Sequence, residues 1–296
     1  MIGLLFASFG LFLLLGMPIV LGIGASALLA MVLEGQIPVS AMVTKIFGGM
    51  DSFPLMAIPF FILAGEIMNR SGITERIVEF SADLVGYFRG GLAHVNIVTN
   101  MILAGVSGSC VADCSATGTL LIPAMVKKGY PVEFSVCLTA SASTMGPIIP
   151  PSILMILYGS MTGVSIGALF LGGFIPGILI GISLMLLTVI LCRRGGFGAP
   201  MEGGSLGHLR VSFPRAVWAL LVPVIILGGI LSGIFTATEA GIVAVVYSLL
   251  VGLFVLRTLK PNKLLGILVD STVTAGMVML IIGVASAFGY LLTRWH

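Results

Sequence analysis

The sequence predicts an all-α polytopic membrane protein, on two observations. Hydrophobic residues make up 58% of the 296 positions and charged residues 8%, with a mean hydropathy of +1.21; soluble domains carry roughly 25% charged residues. In addition, no Asp, Glu, Lys or Arg occurs from Met1 to Leu33 or from Phe134 to Cys192. A helix crossing a bilayer needs about 20 apolar residues, so each run is long enough to cross at least once.

The same numbers exclude other classes. The net charge of +3 resides in short loops between spans and is no signature of nucleic-acid binding. Cys110, Cys114, Cys137 and Cys192 lack the spacing of a disulfide framework or a zinc site, and are expected as small buried residues. The apolar start is too long, and lacks the basic beginning, of a cleaved signal peptide. No Walker-type nucleotide-binding loop occurs.

Taken in order, candidate spans cover 2–33 (broken near Gly16-Met17-Pro18), 53–68, 92–107, 109–126, 133–161 (broken), 164–192, 213–235, 239–256 and 264–293. The pieces 92–107 and 109–126 are short and joined by almost nothing. That predicts a helical hairpin entering the membrane and returning, with "SGS" at its tip. Irregular backbone at membrane depth is tolerated only against protein or a water-filled cavity. Segment 69–91 has three basic and three acidic residues, with Ile77, Phe80, Leu84 and Phe88 at helical spacing. It reads either as a helix along the interface or as a solvated connector with one apolar face.

Orientation follows from the loops. Arg193, Arg194, Arg210 and Arg215 face only Glu202 in 193–215, and Arg257, Lys260 and Lys263 have no acid in 257–263, so both loops are expected on the cytoplasmic side.

Two stretches carry candidate chemistry. In "GVSGSCVADCSATGT" (105–119), Gly108 suits a helix C-cap and Ser109 an N-cap. Asp113, the only Asp, Glu, Lys or Arg between Gly91 and Lys127, then falls near the first turn of the second helix, where the dipole favours negative charge. Capping explains Gly108 and Ser109. It does not explain a carboxylate that costs about 2.5–3.5 kcal/mol at the bilayer centre, nor Ser107, Ser115, Thr117 and Thr119 beside it.

The second stretch is "TASASTMGPIIPPSILMILYG" (139–159). Proline lacks an N–H, so Pro147, Pro150 and Pro151 are expected to free the carbonyls of Ser143, Gly146 and Pro147. A hard cation such as Na⁺ would satisfy such oxygens, and a helix restarting near Ser152 would turn its positive end to an anion. The alternative is a proline kink healed by neighbouring Ser and Thr. A polar hairpin tip together with a broken helix is the arrangement secondary transporters use.

Other groups read structurally. Thr236 or Thr238 can cap the span at Glu239, Glu66 and Asp270 near span ends are solvated or paired, and His94 is a satisfied interfacial histidine. Gly177-x-x-x-Gly181 and Gly229-x-x-x-Gly233 mark close helix packing, and Trp218 and Tyr158 are interface or core aromatics. A membrane enzyme is the competing class, since "GVSG" (105–108) matches the Gly-x-Ser-Gly of rhomboid intramembrane serine proteases. A serine nucleophile needs a base within reach. His94 lies 13 residues earlier on the same predicted helix, about 20 Å away, while His208 and His296 are in a polar loop and at the terminus. A non-transporting structural membrane subunit is a third possibility, and leaves the broken helix unexplained.

Several stretches together resemble the large membrane subunit of TRAP (tripartite ATP-independent periplasmic) transporters, over about residues 5–293. They include "PFFILAGEIMNRSGI" (59–73), "RGGLAHVN" (89–96), "SGSCVAD" (107–113), "IPAMVKKGY" (122–130), "GPIIPPSILMILYG" (146–159), "GVSIGALFLGGFIPG" (163–177) and "GIFTATEAGIVAVVYSLLVG" (233–252). The resemblance implies a multi-pass protein of the bacterial or archaeal cytoplasmic (inner) membrane, surrounded by lipid. It implies uptake of organic anions such as dicarboxylates, keto acids or sialic acid, driven by Na⁺, with no cofactor beyond that coupling ion. The implied partners are a small membrane subunit and a periplasmic substrate-binding protein.

It further implies an elevator-type fold of two inverted repeats with hairpins and broken helices. On that likeness Ser107, Gly108, Ser109 and Asp113 match the first hairpin tip, and Ser143, Gly146, Pro150, Pro151 and Ser152 the first broken helix. Na⁺ ligands are expected among Ser107, Gly108, Ser109, Ser143 and Gly146. The organisation expected is one or more N-terminal scaffold spans and a loop over 1–52, and a first-repeat transport module over 53–192, with hairpin 92–126 and broken helix 133–161. A cytoplasmic loop (193–215), scaffold spans (216–263) and the start of a second-repeat module (264–296) follow. Family members run considerably longer. With "MVMLIIGVASAFGYLL" (277–292) in the place that "PFFILAGEIM" (59–68) takes in the first half, the second hairpin and broken helix are expected beyond His296, the second repeat being incomplete.

Overall fold

The computed structural model describes residues 1–200 and 207–295; Glu202 and His296 lie outside the described residues. All regular structure among these is helical. The chain is an all-α polytopic membrane protein, and among the described residues five helical stretches are long and apolar enough to cross a bilayer: Phe53–Arg70, Ile166–Gly195, Ser212–Leu231, Ala237–Val255 and Pro261–Arg294.

The helices fall into two compact units. One holds residues 1–55 with those from Thr272 onward. The expected break near Gly16 is present: α1 (Ile2–Leu14) ends before Gly16 in the left-handed region (φ 77°), and Pro18 starts α2 (Ile19–Glu34). Gly35 (φ 67°) closes α2, and Pro38 opens a third helix, α3 (Val39–Met50), where the N-terminal region was expected to form a loop. Its 12 residues contain Gly48 and Gly49, poor helix formers, and their role is visible only in packing. A side-chain carbon at Gly49 would overlap Ser286, and Ile46 O lies 2.9 Å from where one would stand on Gly283. Leu5, Ala27, Ala30, Met31, Ile37 and Leu291 form this unit's core.

The second unit spans Met56–Ser271 and carries both candidate stretches. A short 3₁₀ turn leads into α4 (Ala57–Arg70), followed by α5 (Ile73–Val85). The hairpin is α6 (Gly91–Ser107) and α7 (Cys110–Lys127), joined by two residues. The broken helix is α8 (Val132–Ser143) and α9 (Ile153–Thr162), separated by 144–152. Next come α10 (Ile166–Gly195), α11 (Leu209–Leu231) and α12 (Ala237–Leu250), the last extended by a π turn to Val255. Finally α13 (Pro261–Arg294) runs out of this unit into the other.

The structure corrects some of the expected structural roles and bears out others. The apolar face of α5 is covered only in part: Leu84 is half-buried and Phe88, beyond the end of the helix, is exposed. Ile77 and Phe80 are buried, and the helix packs on α6 and α11. Of the cysteines only Cys192 is buried; Cys110 and Cys114 are half-buried and Cys137 is exposed, because α7 and α8 each present a side to the surroundings. Gly177 and Gly181 do mark close packing, against the side chains of Ile149 and Met101. Gly229 and Gly233 do not: Gly229 makes room for Phe235 of its own turn, and Gly233 (φ 74°) has nothing within 4 Å. Glu66 and Asp270 are both paired, to Arg70 at 2.6 and 2.5 Å. Thr236 and Glu239 form a reciprocal capping box at the start of α12.

Candidate functional site

The hairpin tip is built by local backbone chemistry. Gly108 takes the left-handed conformation (φ 62°) that ends α6, and its N–H donates to Ala104 O. Ser109 is extended and caps α7, its hydroxyl accepting from Ala112 N–H at 3.4 Å. One turn later Asp113 is fully buried, near the positive end of α7. Ser107 Oγ donates to Asp113 Oδ1 at 2.5 Å and accepts from Ser109 N–H at 3.1 Å. The other carboxylate oxygen, Oδ2, is buried with no hydrogen-bond partner. A buried charge demands compensation, and no Lys or Arg occurs from 92 to 126.

The break heals more of itself than the prolines suggested. Of the three carbonyls expected to be free, that of Ser143 accepts from Gly146 N–H at 2.9 Å, and that of Pro147 accepts from Ser152 Oγ at 2.7 Å. Replacement donors lie within five residues, so local turns recover what the missing proline N–H groups leave. Among the described residues no hydrogen bond ends on the Gly146 carbonyl. Ser152 also caps α9, accepting from Met155 N–H at 3.3 Å, and Ser143 Oγ donates to Ala140 O at 2.9 Å.

Tip and break meet, and glycines permit it. A side-chain carbon on Gly146 would stand 2.9 Å from Asp113 Oδ2 and 2.9 Å from Cys110 N; one on Gly108 would stand 2.7 Å from Pro151 O and 3.3 Å from Ile153 N. Gly105 faces the Pro150 carbonyl, 3.6 Å from the same construction. The first N–H of α7 therefore adjoins the break, and the first N–H of α9 adjoins the tip. Two half-helix N-termini and one buried carboxylate share a single neighbourhood, which offers donors to an anion and oxygens to a hard cation. All nine expected residues, Ser107, Gly108, Ser109, Asp113, Ser143, Gly146, Pro150, Pro151 and Ser152, lie on these two segments. Among the described residues no three His, Cys, Asp or Glu gather as a metal cluster.

The protease arrangement is not formed. Ser107 Oγ is engaged by Asp113 and by Ser109, while the His94 ring nitrogen Nε2 pairs with Arg89 O at 3.1 Å.

Sequence reasoning missed one polar group behind the tip. Asn96, Asn100 and Thr139 are fully buried, and hydrogen bonds connect them to each other and to Thr117. The available signal was two asparagines four residues apart on a span with no Asp, Glu, Lys or Arg.

Comparison with known proteins agrees with this architecture. A family model described as "Tripartite ATP-independent periplasmic transporter, DctM component" matches residues 6–296. The chain is 40% identical over 289 residues to an isethionate TRAP transporter permease protein of Oleidesulfovibrio alaskensis, covering 98% of this chain and 46% of that protein. It is 38% identical over 294 residues to the sialic acid TRAP transporter large permease protein of Vibrio cholerae, covering 99% and 68%. Against the C4-dicarboxylate TRAP transporter large permease protein of Pseudomonas aeruginosa it is 40% identical over 271 residues, covering 92% and 63%. The chain thus spans about half to two thirds of the length of these curated relatives.

Proposed function

Because the chain belongs to the family of the TRAP transporter DctM component, a family of membrane permeases and not of enzymes, we propose that it is large-permease sequence of a secondary transporter that imports an organic anion with Na⁺. The observation that carries this reading is the contact between the Asp113-bearing tip and the 144–152 break, at Gly146 and Gly108.

Chemistry favours the pairing of ion and anion there. Na⁺ is a hard cation that takes carbonyl, hydroxyl and carboxylate oxygens, which Ser107, Gly108, Ser109, Ser143 and Gly146 supply beside Asp113 Oδ2. Its charge compensates the buried carboxylate. With that charge balanced, the N-termini of α7 and α9 remain free to favour the substrate's own negative group. Substrate thereby binds better with Na⁺ in place, which is coupling expressed as reciprocal affinity. Relatives named for isethionate, sialic acid and C4-dicarboxylates all handle solutes with acidic groups, so the substrate class is an organic anion. A periplasmic binding protein delivers it, and a small membrane subunit completes the assembly in the cytoplasmic membrane.

The test is uptake into proteoliposomes by the complete transporter containing this chain. Uptake is expected only with an inward Na⁺ gradient and the cognate binding protein. Equal uptake with K⁺ replacing Na⁺, or without the binding protein, rejects the reading.

A further inference from the structure

Behind the tip, four polar side chains cross three helices with no charged group among them. Asn96 Nδ2 donates to Thr139 Oγ1 at 2.7 Å, with Met125 Sδ at 3.6 Å as its other neighbour. Asn100 Nδ2 donates to Asn96 Oδ1 at 2.8 Å and lies 3.3 Å from Thr117 Oγ1. Thr117 Oγ1 donates in turn to Asp113 O at 2.7 Å, and Thr139 Oγ1 to Ser135 O at 2.8 Å. All four residues are fully buried.

The placement of these bonds matters more than their number. Thr117 stands one helical turn beyond Asp113 on α7, and Thr139 one turn before Ser143, where α8 ends. The asparagines on α6 bridge the two. An apolar seam permits two helices to slide by a fraction of a turn at little cost; a hydrogen bond between buried groups does not, since slippage strands a donor. Capping explains none of these residues, and the hydrogen bonds of Asn96 and Thr139 go to each other, to Asn100, to Met125 and to Ser135 rather than to the tip.

We propose that Asn96, Asn100, Thr117 and Thr139 are positioning residues that set the register of the hairpin tip against the broken helix, and with it the geometry of the Na⁺ site. This inference rests on the proposed function. Thr139→Val keeps the shape of the side chain and removes the acceptor of the Asn96 amide. In the assembled transporter it raises the half-saturating Na⁺ concentration about five- to tenfold, the worth of roughly one buried hydrogen bond, while the rate at saturating Na⁺ is retained. Thr139→Ser, which restores the hydroxyl, returns the Na⁺ response to normal. Asn100→Ser carries the same expectation from a second helix, should the valine variant fail to accumulate in the membrane.

A normal Na⁺ response in the unaltered transporter, with the half-saturation unchanged in Thr139→Val or in Asn100→Ser, overturns this inference alone. A reduced maximal rate at unchanged half-saturation does the same, since that marks a merely structural loss. Na⁺-independent uptake by the unaltered transporter overturns the proposed function and this inference together.

Discussion

Gly146 backs directly onto Asp113: a methyl group on Gly146 would stand 2.9 Å from the unpartnered Asp113 Oδ2. The two residues are separated by a hairpin arm, a turn and a whole helix. Their contact brings together two segments that the chain order keeps apart.

The first prediction concerns that contact. Gly146→Ala forces its new carbon against Asp113 Oδ2, Cys110 N and Ser109 C, at 2.9, 2.9 and 3.0 Å. Backbone on one side and a buried carboxylate on the other leave little to give. Overpacking of this kind costs about 1–3 kcal/mol, and here it falls on the separation of tip and break. Anion uptake should drop at least about tenfold, the equivalent of 1.4 kcal/mol, in a transporter that still assembles. Uptake within twofold of the unaltered level would mean the contact does not matter.

A pair of glycines separates backbone strain from site geometry. Gly108 and Gly163 both close helices with positive φ, at 62° and 74°. Alanine at either costs about 1–2 kcal/mol in the left-handed region. Only at Gly108 does the added carbon also meet a neighbour, Pro151 O at 2.7 Å; Gly163 has nothing within 4 Å. Thermal unfolding in detergent should fall for both variants, and Na⁺-driven uptake should fail for Gly108→Ala alone.

The capping box of α12 provides a distant control. Thr236→Ala removes the hydroxyl that accepts from Glu239 N–H at 3.3 Å, a loss of about 0.5–2 kcal/mol. The melting temperature should decrease, while the Na⁺ concentration at half-maximal uptake stays where it was. A shifted Na⁺ response here would tie the start of α12 to the site.

Much of the local geometry of the candidate site was legible in sequence, for local reasons. Gly108 and Ser109 announce a turn because one tolerates positive φ and the other caps through its own hydroxyl. Pro147, Pro150 and Pro151 announce a break because they lack an N–H. Asp113 stands out because nothing else in its span is charged. The rest depends on partners distant in the chain. Asn96 and Thr139, 43 residues apart, show no relation until three helices bring them together. The carbonyls of Ser143 and Pro147 looked free because the donors that satisfy them, Gly146 N–H and Ser152 Oγ, depend on the turn geometry of the break. Helix α3 contains Gly48 and Gly49, poor helix formers, and the Ser286 side chain for which Gly49 makes room is more than 200 residues away in the chain.

The central claim is that Asp113 lends its charge to a Na⁺ ion held between tip and break. The most direct measurement is equilibrium binding of radioactive Na⁺ to the purified transporter containing this chain, with Asp113→Asn compared against the unaltered protein and Thr236→Ala. Asparagine keeps the shape and an oxygen for the Ser107 hydrogen bond but removes the charge. The account predicts that Asp113→Asn weakens Na⁺ binding at least about tenfold, equivalent to 1.4 kcal/mol, while Thr236→Ala binds as the unaltered protein does. Equal Na⁺ affinity in Asp113→Asn and the unaltered transporter would contradict it.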